Sequence, residues 1–463
     1  MKTAVIRSSW MEGYGYRLDC SPYLGGALET KVLLEKLPLR KDTLKEVTTA
    51  IYHAGRESRQ WVESPEYGVP FISGSDLQKV DLSNLPLISK RQVAKTPHFT
   101  IRAGYTLITR SGTIGKMAYA RRDMDGMACS EHVLRVVPDT EKIPSGYLYA
   151  YLSSKFGVAL VVSGTYGSII QGIEPEHLLR NDVVVPRLGD ALEHEVHTLV
   201  EQSAELRTKA SLEINEVTGS LREFLGLPRL THTNVRGFGV SSVRSEELNW
   251  RFDATYHSPA AVEADEALRR CSVPVRQLAD VTKRLFKPPM FKRLWVEDAR
   301  EGVQFVSGND AYKFSADDVR YVSFRTPAFK EFVVREGWLV FQAAGQIYGL
   351  FARPLLVHGW LNGLFVADDM YRVVPNEPED GAYLFGFFRT DVGQVLIKRQ
   401  SAGNSIPRVW DPQMTQLLVP WPEKTERHRC GAQIISAHEK LFLALKNDER
   451  AVHLVEEAIE RRS

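Results

Sequence analysis

A short segment with two glycines and a cation at each end is the first place in this sequence where residue types and spacing could support chemistry. It reads Arg110-Ser111-Gly112-Thr113-Ile114-Gly115-Lys116. Glycine lets backbone amides approach a phosphate closely, and arginine or lysine can donate to phosphate oxygens or to the acceptors of a guanine edge. A plain hairpin turn is the competing interpretation. The segment is a candidate contact for a phosphate-bearing ligand, through Arg110, Ser111, Thr113 and Lys116.

The motifs of the enzymes that such a segment could suggest are missing. A nucleotide-hydrolysing phosphate loop needs glycine where Arg110 stands and serine or threonine where Met117 stands. A zinc-binding helix needs its second histidine four residues after the first, but the residue four after His194 is Thr198. The Asn-Pro-Pro run of many methyltransferases does not occur. We therefore expect a chain that is not an enzyme, with no catalytic residue, no metal and no cofactor of its own.

A second glycine-containing segment runs from Ser163 to Gln171, and the segment from Ser401 to Arg408 is its counterpart later in the chain. Side chains on such loops can reach base edges, where glutamine and asparagine pair with adenine and arginine pairs with guanine. Capping of a helix or a turn is the alternative role for these residues. The candidate contacts are Tyr166, Ser168, Gln171, Asn404, Ser405 and Arg408.

Positive charge is concentrated in two stretches, although the formal net charge of the chain is only +2. Eight basic residues and no acidic one lie between Ser89 and Arg122, and a loop is expected from Lys283 to Arg293, around Pro288-Pro289. Two such stretches could bind nucleic-acid phosphates at two places. The alternative is that they are only basic surfaces exposed to solvent. Their candidate residues outside the glycine segment are Lys90, Arg91, Lys95, Lys283, Arg284, Lys287, Lys292 and Arg293.

The bulk composition fits a reduced, soluble protein of two or three domains. The chain has 463 residues, of which 43% are hydrophobic. Its four cysteines form no Cys-x-x-Cys pair, which argues against a zinc knuckle and against a disulfide framework. The first residues contain no apolar leader, and no run of about 18 apolar residues appears. We expect a cytoplasmic protein without a membrane partner.

The elements that position the candidate segments occur twice, because the sequence matches itself at an offset of about 234 residues. The cleanest agreement is between Gly68–Asp76 and Gly302–Asp310. Other matches keep the same order: Arg17-Leu18-Asp19 with Arg251-Phe252-Asp253, Arg135-Val136-Val137-Pro138 with Arg372-Val373-Val374-Pro375, and Asn181–Pro186 with Thr415–Pro420. The sequence therefore predicts a duplicated domain, each copy followed by a helix.

Short alternating runs bounded by glycine and proline predict strands within each copy, for example at 106–109, 132–137 and 338–341. Few helices interrupt them. One is expected from Tyr147 to Ser154, with Ser145 as its N-cap. The predicted fold class is α+β, with two tandem homologous domains that each contain irregular twisted sheets and short helices.

Two polar stretches after the copies predict long helices, each with a narrow apolar seam. The first seam is Val196, Leu199, Ser203, Leu206, Ala210, Ile214, Val217, Leu221 and Phe224, and the second is Cys430, Ile434, Ala437, Leu441, Ala444, Val452, Val455 and Ile459. We expect the helices to pair as an antiparallel coiled coil, about 35 residues or roughly 50 Å long, that separates the two domains. The predicted boundaries are 1–187, 188–227, 228–421 and 422–463.

Together these motifs resemble a target-recognition domain of the specificity subunits of type I restriction-modification systems. They are the Arg110–Lys116 segment after a strand, His132–Pro138, Ile143–Tyr149, the Tyr166-Gly167-Ser168 loop and a Val-Val-Pro exit into a long helix. With both halves counted, the resemblance covers almost the whole chain. In the second half Ala343–Gly349 replaces the glycine segment and lacks its basic pair, so Gln346 and Tyr348 are the candidate contacts there.

The resemblance implies a non-catalytic subunit in which each domain reads one half of a bipartite double-stranded DNA target. It implies that the helices fix the gap between the half-sites and dock two methyltransferase subunits, with restriction or translocase subunits as further partners. S-adenosylmethionine, ATP and magnesium would then be used by the partner chains. Four seam residues would set the distance between the two domains and bind the partner subunits, or would only form the core between the helices. They are Leu199, Leu206, Leu221 and Leu441.

Two other functions stay open from the sequence. The same recognition domains could serve another phage-defence or DNA-modification complex with different catalytic partners. A helical scaffold that joins proteins and binds no DNA belongs to a different class, and the two acid-free basic stretches argue against it.

Overall fold

The computed structural model describes residues 5, 8, 11, 23, 26–163, 172–179, 183–230, 240–248, 251–290, 292–314, 316, 319–347, 349–403, 405–409 and 411–462. The chain forms two compact units. Unit 1 comprises Met1–Thr208 and Leu443–Ser463, and unit 2 comprises Lys209–Phe442. The boundaries fall inside two long helices, so each unit contains part of both.

Unit 1 contains short strands and mostly short helices. Its strands are β1 (Lys41–Thr43), β2 (Thr48–Tyr52), β3 (Trp61–Val62), β4 (Gly68–Ile72), β5 (Leu87–Ser89), β6 (Thr106–Thr109), β7 (Met117–Tyr119), β8 (Ala128–Cys129), β9 (Val133–Pro138) and β10 (Val184–Pro186). Its helices are α1 (Ala27–Lys36), α2 (Lys90–Lys95), α3 (Ser145–Ser153), α4 (Lys155–Ser163), α5 (Pro175–Leu179) and the first part of α6 (Asp190–Phe224).

The strands of unit 1 form two four-stranded sheets and one two-stranded sheet. The first sheet has the order β2-β9-β6-β7 and is antiparallel, and β1 pairs with β10. The second has the order β3-β5-β4-β8, in which β4 and β8 are parallel. Strands β6 and β9 are central in the first sheet, and all four residues of β6 are buried. Burial on both faces explains their β-branched and apolar composition.

Unit 2 repeats these elements. Its strands are β11 (Val275–Gln277), β12 (Thr282–Phe286), β13 (Trp295–Val296), β14 (Gly302–Val306), β15 (Arg320–Ser323), β16 (Leu339–Gln342), β17 (Pro354–Leu356), β18 (Phe365–Val366), β19 (Met370–Pro375) and β20 (Leu418–Pro420). Its further helices are α7 (Pro259–Arg269), α8 (Phe329–Phe332), α9 (Pro378–Arg389), α10 (Asp391–Arg399), α11 (Asp411–Thr415) and the first part of α12 (Lys424–Glu460).

The sheets of unit 2 have the same topology as those of unit 1. Their orders are β12-β19-β16-β17, β13-β15-β14-β18 and β11-β20, again with one parallel pair, between β14 and β18. The predicted duplication and the α+β fold class are therefore confirmed. The N-cap prediction for the helix near Tyr147 is wrong. Pro144 is the N-cap, and the Ser145 hydroxyl instead bonds to the hydroxyl of Tyr119 at 2.7 Å.

A fully buried arginine joins the two larger sheets in each unit. In unit 1, Arg135 on β9 donates to the carbonyl oxygens of Ser130 (3.0 Å), Val133 (2.7 Å) and Phe99 (3.2 Å), and also to that of Cys129 on β8. Carbonyl groups at the end of a small sheet lack partners of their own, and one guanidinium satisfies several of them at once.

Arg372 on β19 has the same position in unit 2. Its guanidinium donates to the carbonyl oxygens of Val366 (2.7 Å) and Ala367 (2.9 Å), and also to that of Met370. Burial lowers the pKa of Arg372 to about 9, while Asp368 and Asp369 act in the opposite direction. A charge that is buried without a carboxylate bonded to it is costly, so its carbonyl partners are needed to hold it.

The long helices α6 and α12 run antiparallel within each unit. In unit 1, the Ser203 hydroxyl donates to the Ala444 carbonyl oxygen (2.8 Å), and Arg462 donates to the Leu188 carbonyl oxygen (3.2 Å). In unit 2, Lys440 pairs with Glu213 at 2.7 Å. The predicted seam is wrong at some positions, because the fully buried stripe of α6 passes through Val200 and Ala204 while the predicted seam residues Leu199 and Leu206 are half-buried and Phe224 is exposed. Among the described helices, none combines the length and the apolar character that crossing a membrane requires.

Candidate nucleic-acid interface

The segment from Arg110 to Lys116 is a tight return between β6 and β7. The Thr109 amide donates to the Lys116 carbonyl oxygen (2.9 Å), and the Gly115 amide donates to the Thr109 carbonyl oxygen (3.0 Å). Gly112 and Gly115 have φ angles of 76° and 81°, which favour glycine, so the turn needs both. Thr113 is exposed at the tip, and Lys116 is half-buried. We name this segment the first loop.

Arg110 lies at the base of the first loop, inside the protein. Its Nε donates to the Ile173 carbonyl oxygen (2.9 Å), and its guanidinium pairs with Glu174. The Ile173 amide donates back to the Arg110 carbonyl oxygen at 2.9 Å, and Ser111 forms an isolated β-bridge with Gly172. The sequence predicts Arg110 as a donor to nucleic acid, whereas in the structure its side chain connects the first loop to the segment that follows 164–171.

Replacing Arg110 by alanine is expected to destabilise unit 1 by about 2 kcal/mol, because Glu174 loses its guanidinium partner and the Ile173 carbonyl oxygen loses the donation from Nε. The midpoint of urea unfolding measures the change. Arg102→Ala is the matched control, since Arg102 and Asp125 form an exposed pair that contributes little. Equal midpoints in the two variants would contradict the positioning role of Arg110.

A chain of polar contacts leads from the first loop to Arg59. The Ser111 hydroxyl is 2.6 Å from Nδ1 of His132, and Nε2 of His132 lies 3.4 Å from a carboxylate oxygen of Glu131. The other carboxylate oxygen of Glu131 accepts from Arg59 at 2.7 Å. Burial alone would raise the pKa of Glu131, but the hydrogen bond and charge of Arg59 lower it. Glu131 is thereby kept ionised.

The basic helix α2 is attached beside Arg59. Gln92 of α2 donates to the Ser58 carbonyl oxygen (2.8 Å) and accepts from the Gln60 amide (2.9 Å). The three predicted cations of this helix are exposed, and one of them, Lys90, donates to the Glu66 carbonyl oxygen at 2.7 Å. They are Lys90, Arg91 and Lys95. The structure therefore places the basic helix α2 beside the segment that carries Arg59.

Unit 2 builds the corresponding loop from other residues. Ala343–Gly349 follows β16, and the Val409 amide donates to the Ala343 carbonyl oxygen at 2.9 Å, as the Ile173 amide does to Arg110. Ala344 forms an isolated β-bridge with Arg408. The side-chain amide of Gln346 donates to the Ser405 carbonyl oxygen at 3.4 Å. We name this segment the second loop; it brings the predicted residues Gln346, Ser405 and Arg408 together, all exposed.

Asp369 in unit 2 has the position of His132 in unit 1. Its carbonyl oxygen accepts from the Ala343 amide at 2.7 Å, as that of His132 accepts from the Arg110 amide at 2.9 Å. Burial and the neighbouring Asp368 raise the pKa of Asp369. Its Oδ1 is buried and has no hydrogen-bond partner among the described residues.

The second basic stretch is part strand and part loop. Lys283 and Arg284 lie on β12, which pairs with β19, so the loop expected from Lys283 begins only after Phe286. Arg284 is exposed, yet it pairs with Glu331 at 2.8 Å. Lys283 and Lys292 are exposed and Lys287 is half-buried, whereas Arg293 pairs with Asp368 at 2.6 Å. The two arginines of this stretch each pair with an acid and keep further donors, and its lysines add to the cationic surface.

Several predicted contacts lie outside the described residues. They are Tyr166, Ser168, Gln171, Tyr348 and Asn404. On the helices, Leu221 and Leu441 are buried, while Leu199 and Leu206 are half-buried.

The sequence prediction did not include Arg59 or His132 of unit 1. A sequence signal for Arg59 exists, because Arg59-Gln60-Trp61-Val62-Glu63 recurs as Arg293-Leu294-Trp295-Val296-Glu297.

Among the described residues, one group has the composition of a metal site, namely Glu377, Glu379 and His428, whose ligand atoms lie within 4.8 Å of one another. Lys424 lies 2.6 Å from Glu377 and already supplies a positive charge there. His428 is itself 2.8 Å from Glu377. We assign this group to the ion pairs that attach α12 to the start of α9.

Searches against protein-family models and against curated proteins give no match. Solved structures similar to this chain include the S subunit of a type I restriction-modification system from M. genitalium, with 12% identity, a TM-score of 0.37 and coverage of 92% of this chain and 96% of that one. The HsdS subunit from Thermoanaerobacter tengcongensis has 12% identity and a TM-score of 0.27, with 92% and 97% covered. A structure of complex assembly and conformational transition in the type I R-M system has 13% identity and a TM-score of 0.28, with the same coverage.

Proposed function

We propose that this chain is a non-catalytic DNA-recognition subunit that reads a bipartite double-stranded target, one part with each unit. The observation that carries the proposal is that both units form the same loop site, but with different side chains. In both units a strand-end loop is held by main-chain bonds to a second segment, but the exposed residues of the two loops differ. The same backbone arrangement with different side chains suits the recognition of two different half-sites.

The side chains at the two loops suit base edges. In unit 1, Ser111, Thr113, Lys116 and His132 offer donors and acceptors around the first loop. In unit 2, Gln346 can pair bidentately with adenine, and Arg408 with guanine. The predicted contacts Tyr166, Ser168, Gln171, Tyr348 and Asn404 belong to the same proposal on their sequence pattern.

The lysines and arginines around the loops suit phosphates. Exposed cations give affinity that is independent of base sequence and that falls as salt rises. The proposed phosphate contacts are Lys90, Arg91 and Lys95 in unit 1 and Lys283, Arg284, Lys287 and Lys292 in unit 2.

The specific form of the proposal is the specificity subunit of a type I restriction-modification complex in the cytoplasm, as the sequence resemblance implies. The long helices then dock two methyltransferase subunits, and restriction or translocase subunits join them. S-adenosylmethionine, ATP and magnesium are used by those partners, and this chain contributes no cofactor. Another phage-defence or DNA-modification complex would use the same recognition units with other partners.

The test is a mobility shift of the purified chain, with and without methyltransferase subunits, across a series of salt concentrations. Specific binding to a bipartite site with steep salt dependence supports the proposal. No binding even with the partners present would instead favour a scaffold that joins proteins and binds no DNA.

Lys116→Ala is expected to weaken DNA binding by about 1–3 kcal/mol. If affinity falls equally for all DNA sequences, and the slope of log affinity against log salt concentration becomes smaller by about one, Lys116 contacts a phosphate. A loss restricted to one base position identifies a base contact. Lys45→Ala is the control, because Lys45 is an exposed lysine of the same unit. Unchanged affinity and slope for Lys116→Ala would remove the first loop from the interface.

A further inference from the structure

Four side chains meet in the same way in each unit. In unit 1, Trp61 packs edge-on against Phe71, with 5.3 Å between ring centroids, and the Arg59 guanidinium lies 4.9 Å from the Phe71 ring. Arg59 also pairs with Glu131 at 2.7 Å. We name Arg59, Trp61, Phe71 and Glu131 the first aromatic corner.

Unit 2 reproduces this geometry closely. Trp295 packs edge-on against Phe305 with 5.2 Å between centroids, and Arg293 lies 5.0 Å from the Phe305 ring. Arg293 pairs with Asp368 at 2.6 Å. We name these four residues the second aromatic corner. The interplanar angles of the two tryptophan–phenylalanine pairs are 86° and 85°, so these pairs pack in the same way. In unit 2 the Arg320 guanidinium also lies 4.7 Å from the Trp295 ring and adds a second cation there.

Each corner presents a large aromatic ring and a fixed cation to solvent. Trp61 is 44% exposed and Trp295 is 46% exposed, although tryptophan is on average well buried. The arginine cannot fold away, because the phenylalanine ring holds one side of it and a carboxylate holds one end. A guanidinium has five N–H donors, and one hydrogen bond to the carboxylate leaves others for a ligand.

The corners adjoin the loops proposed to read bases. In unit 1, Glu131 of the corner precedes His132, which bonds to Ser111 of the first loop. In unit 2, Asp368 of the corner precedes Asp369, whose carbonyl oxygen accepts from Ala343 at the base of the second loop. The loops differ between the units, whereas the tryptophan, phenylalanine, arginine and carboxylate of the corners pack in the same way. A feature that both units share suits contact with the sugar-phosphate backbone, because the backbone is the same at every DNA sequence.

We propose that the two aromatic corners are the sequence-independent contacts of the units with DNA, resting on the proposed function. The guanidinium of Arg59 or Arg293 donates to a backbone phosphate, and the ring of Trp61 or Trp295 lies against the adjacent sugar. Each contact adds affinity at any base sequence, and the neighbouring loop supplies the preference for particular bases.

The test compares the full chain in complex with its methyltransferase subunits, using a target duplex found by binding-site selection and an unrelated duplex. The variants are Trp61→Ala with Trp295→Ala, and Arg59→Gln with Arg293→Gln. Each pair is expected to lose about tenfold in affinity per corner, by the same factor on both duplexes, so the ratio of specific to unrelated binding stays constant. Phe252→Ala with Arg270→Gln is the control, because both residues are exposed in unit 2.

A second measurement separates contact from folding. Trp61→Phe with Trp295→Phe keeps a ring against each phenylalanine and is expected to unfold at the wild-type temperature. DNA is expected to shield tryptophan fluorescence from acrylamide in the wild type, and to shield it less in this variant. Equal shielding in both proteins would overturn the contact.

The outcomes also distinguish a failure of the proposed corner contacts from a failure of the proposed DNA-recognition function. A wild-type complex without sequence-specific binding would overturn both. A wild-type complex that finds its target, together with variants of unchanged affinity, would overturn the corners alone. Variants that keep DNA affinity as free chains but no longer bind methyltransferase subunits would assign the corners to those subunits and refute the DNA contact.

Discussion

Replacing Arg372 by methionine is expected to destabilise unit 2 by about 3–5 kcal/mol. Methionine fills a similar space but donates no hydrogen bond, so the carbonyl oxygens of Val366, Ala367 and Met370 stay buried without this donor. Each unsatisfied buried acceptor costs about 1–3 kcal/mol. The urea midpoint of unit 2 measures the loss, and Arg135→Met is expected to do the same to unit 1.

Arg300→Met is the matched control for this prediction. Arg300 is exposed and pairs with Asp298 two residues away, a contact that contributes little to stability. Arg372→Lys keeps a cation but loses the forked geometry, so its midpoint is expected to lie between those of Arg372→Met and the wild type. A midpoint of Arg372→Met equal to that of Arg300→Met would show that the buried arginine does not join the sheets energetically.

Alanine at both Gln346 and Arg408 is expected to remove base preference from one half of the target and to leave the other half unchanged. A bidentate pair with the correct base contributes about 1–3 kcal/mol of discrimination, so two pairs together correspond to a preference of roughly 30-fold to 2 × 10⁴-fold. Selection of binding sites from a random duplex library, followed by sequencing, measures each half-site separately. The exposed positions of both side chains at the second loop are the reason for the expectation.

Arg276→Ala with Gln277→Ala is the control for that double variant, because the same two residue types are exposed there on β11 of the same unit. It is expected to select the wild-type target. If the Gln346 and Arg408 variant also selected the wild-type target at both half-sites, the second loop would not be a reading surface.

The duplication could be predicted from the sequence because it leaves matched residues at a fixed offset, and strands bounded by glycine and proline follow their local pattern. The buried stripe of α6 could be predicted only in part. Leu199 and Leu206 continue an apolar spacing, but the packing of α12 buries Val200 and Ala204 more deeply.

The site was harder to predict, since its partners are distant in the chain. Arg110 has a suitable type and setting for a DNA contact, yet Glu174, which holds it, lies 64 positions away. The Pro288-Pro289 pair suggests a loop, but its effect does not reach Lys283 and Arg284, which β19 holds in a strand. Arg59 lies outside both acid-free basic stretches of the sequence, and only folding brings Phe71 and Glu131 to it.

The main-chain bonds that hold the two loops have an evolutionary consequence. The amides of Ile173 and Val409 donate to the carbonyl oxygens of Arg110 and Ala343, and such bonds form with almost any side chain at either position. Mutation can therefore exchange the exposed residues while the surrounding geometry persists. Under the proposed function, single substitutions at the exposed loop positions would change which bases are preferred while the protein stays folded.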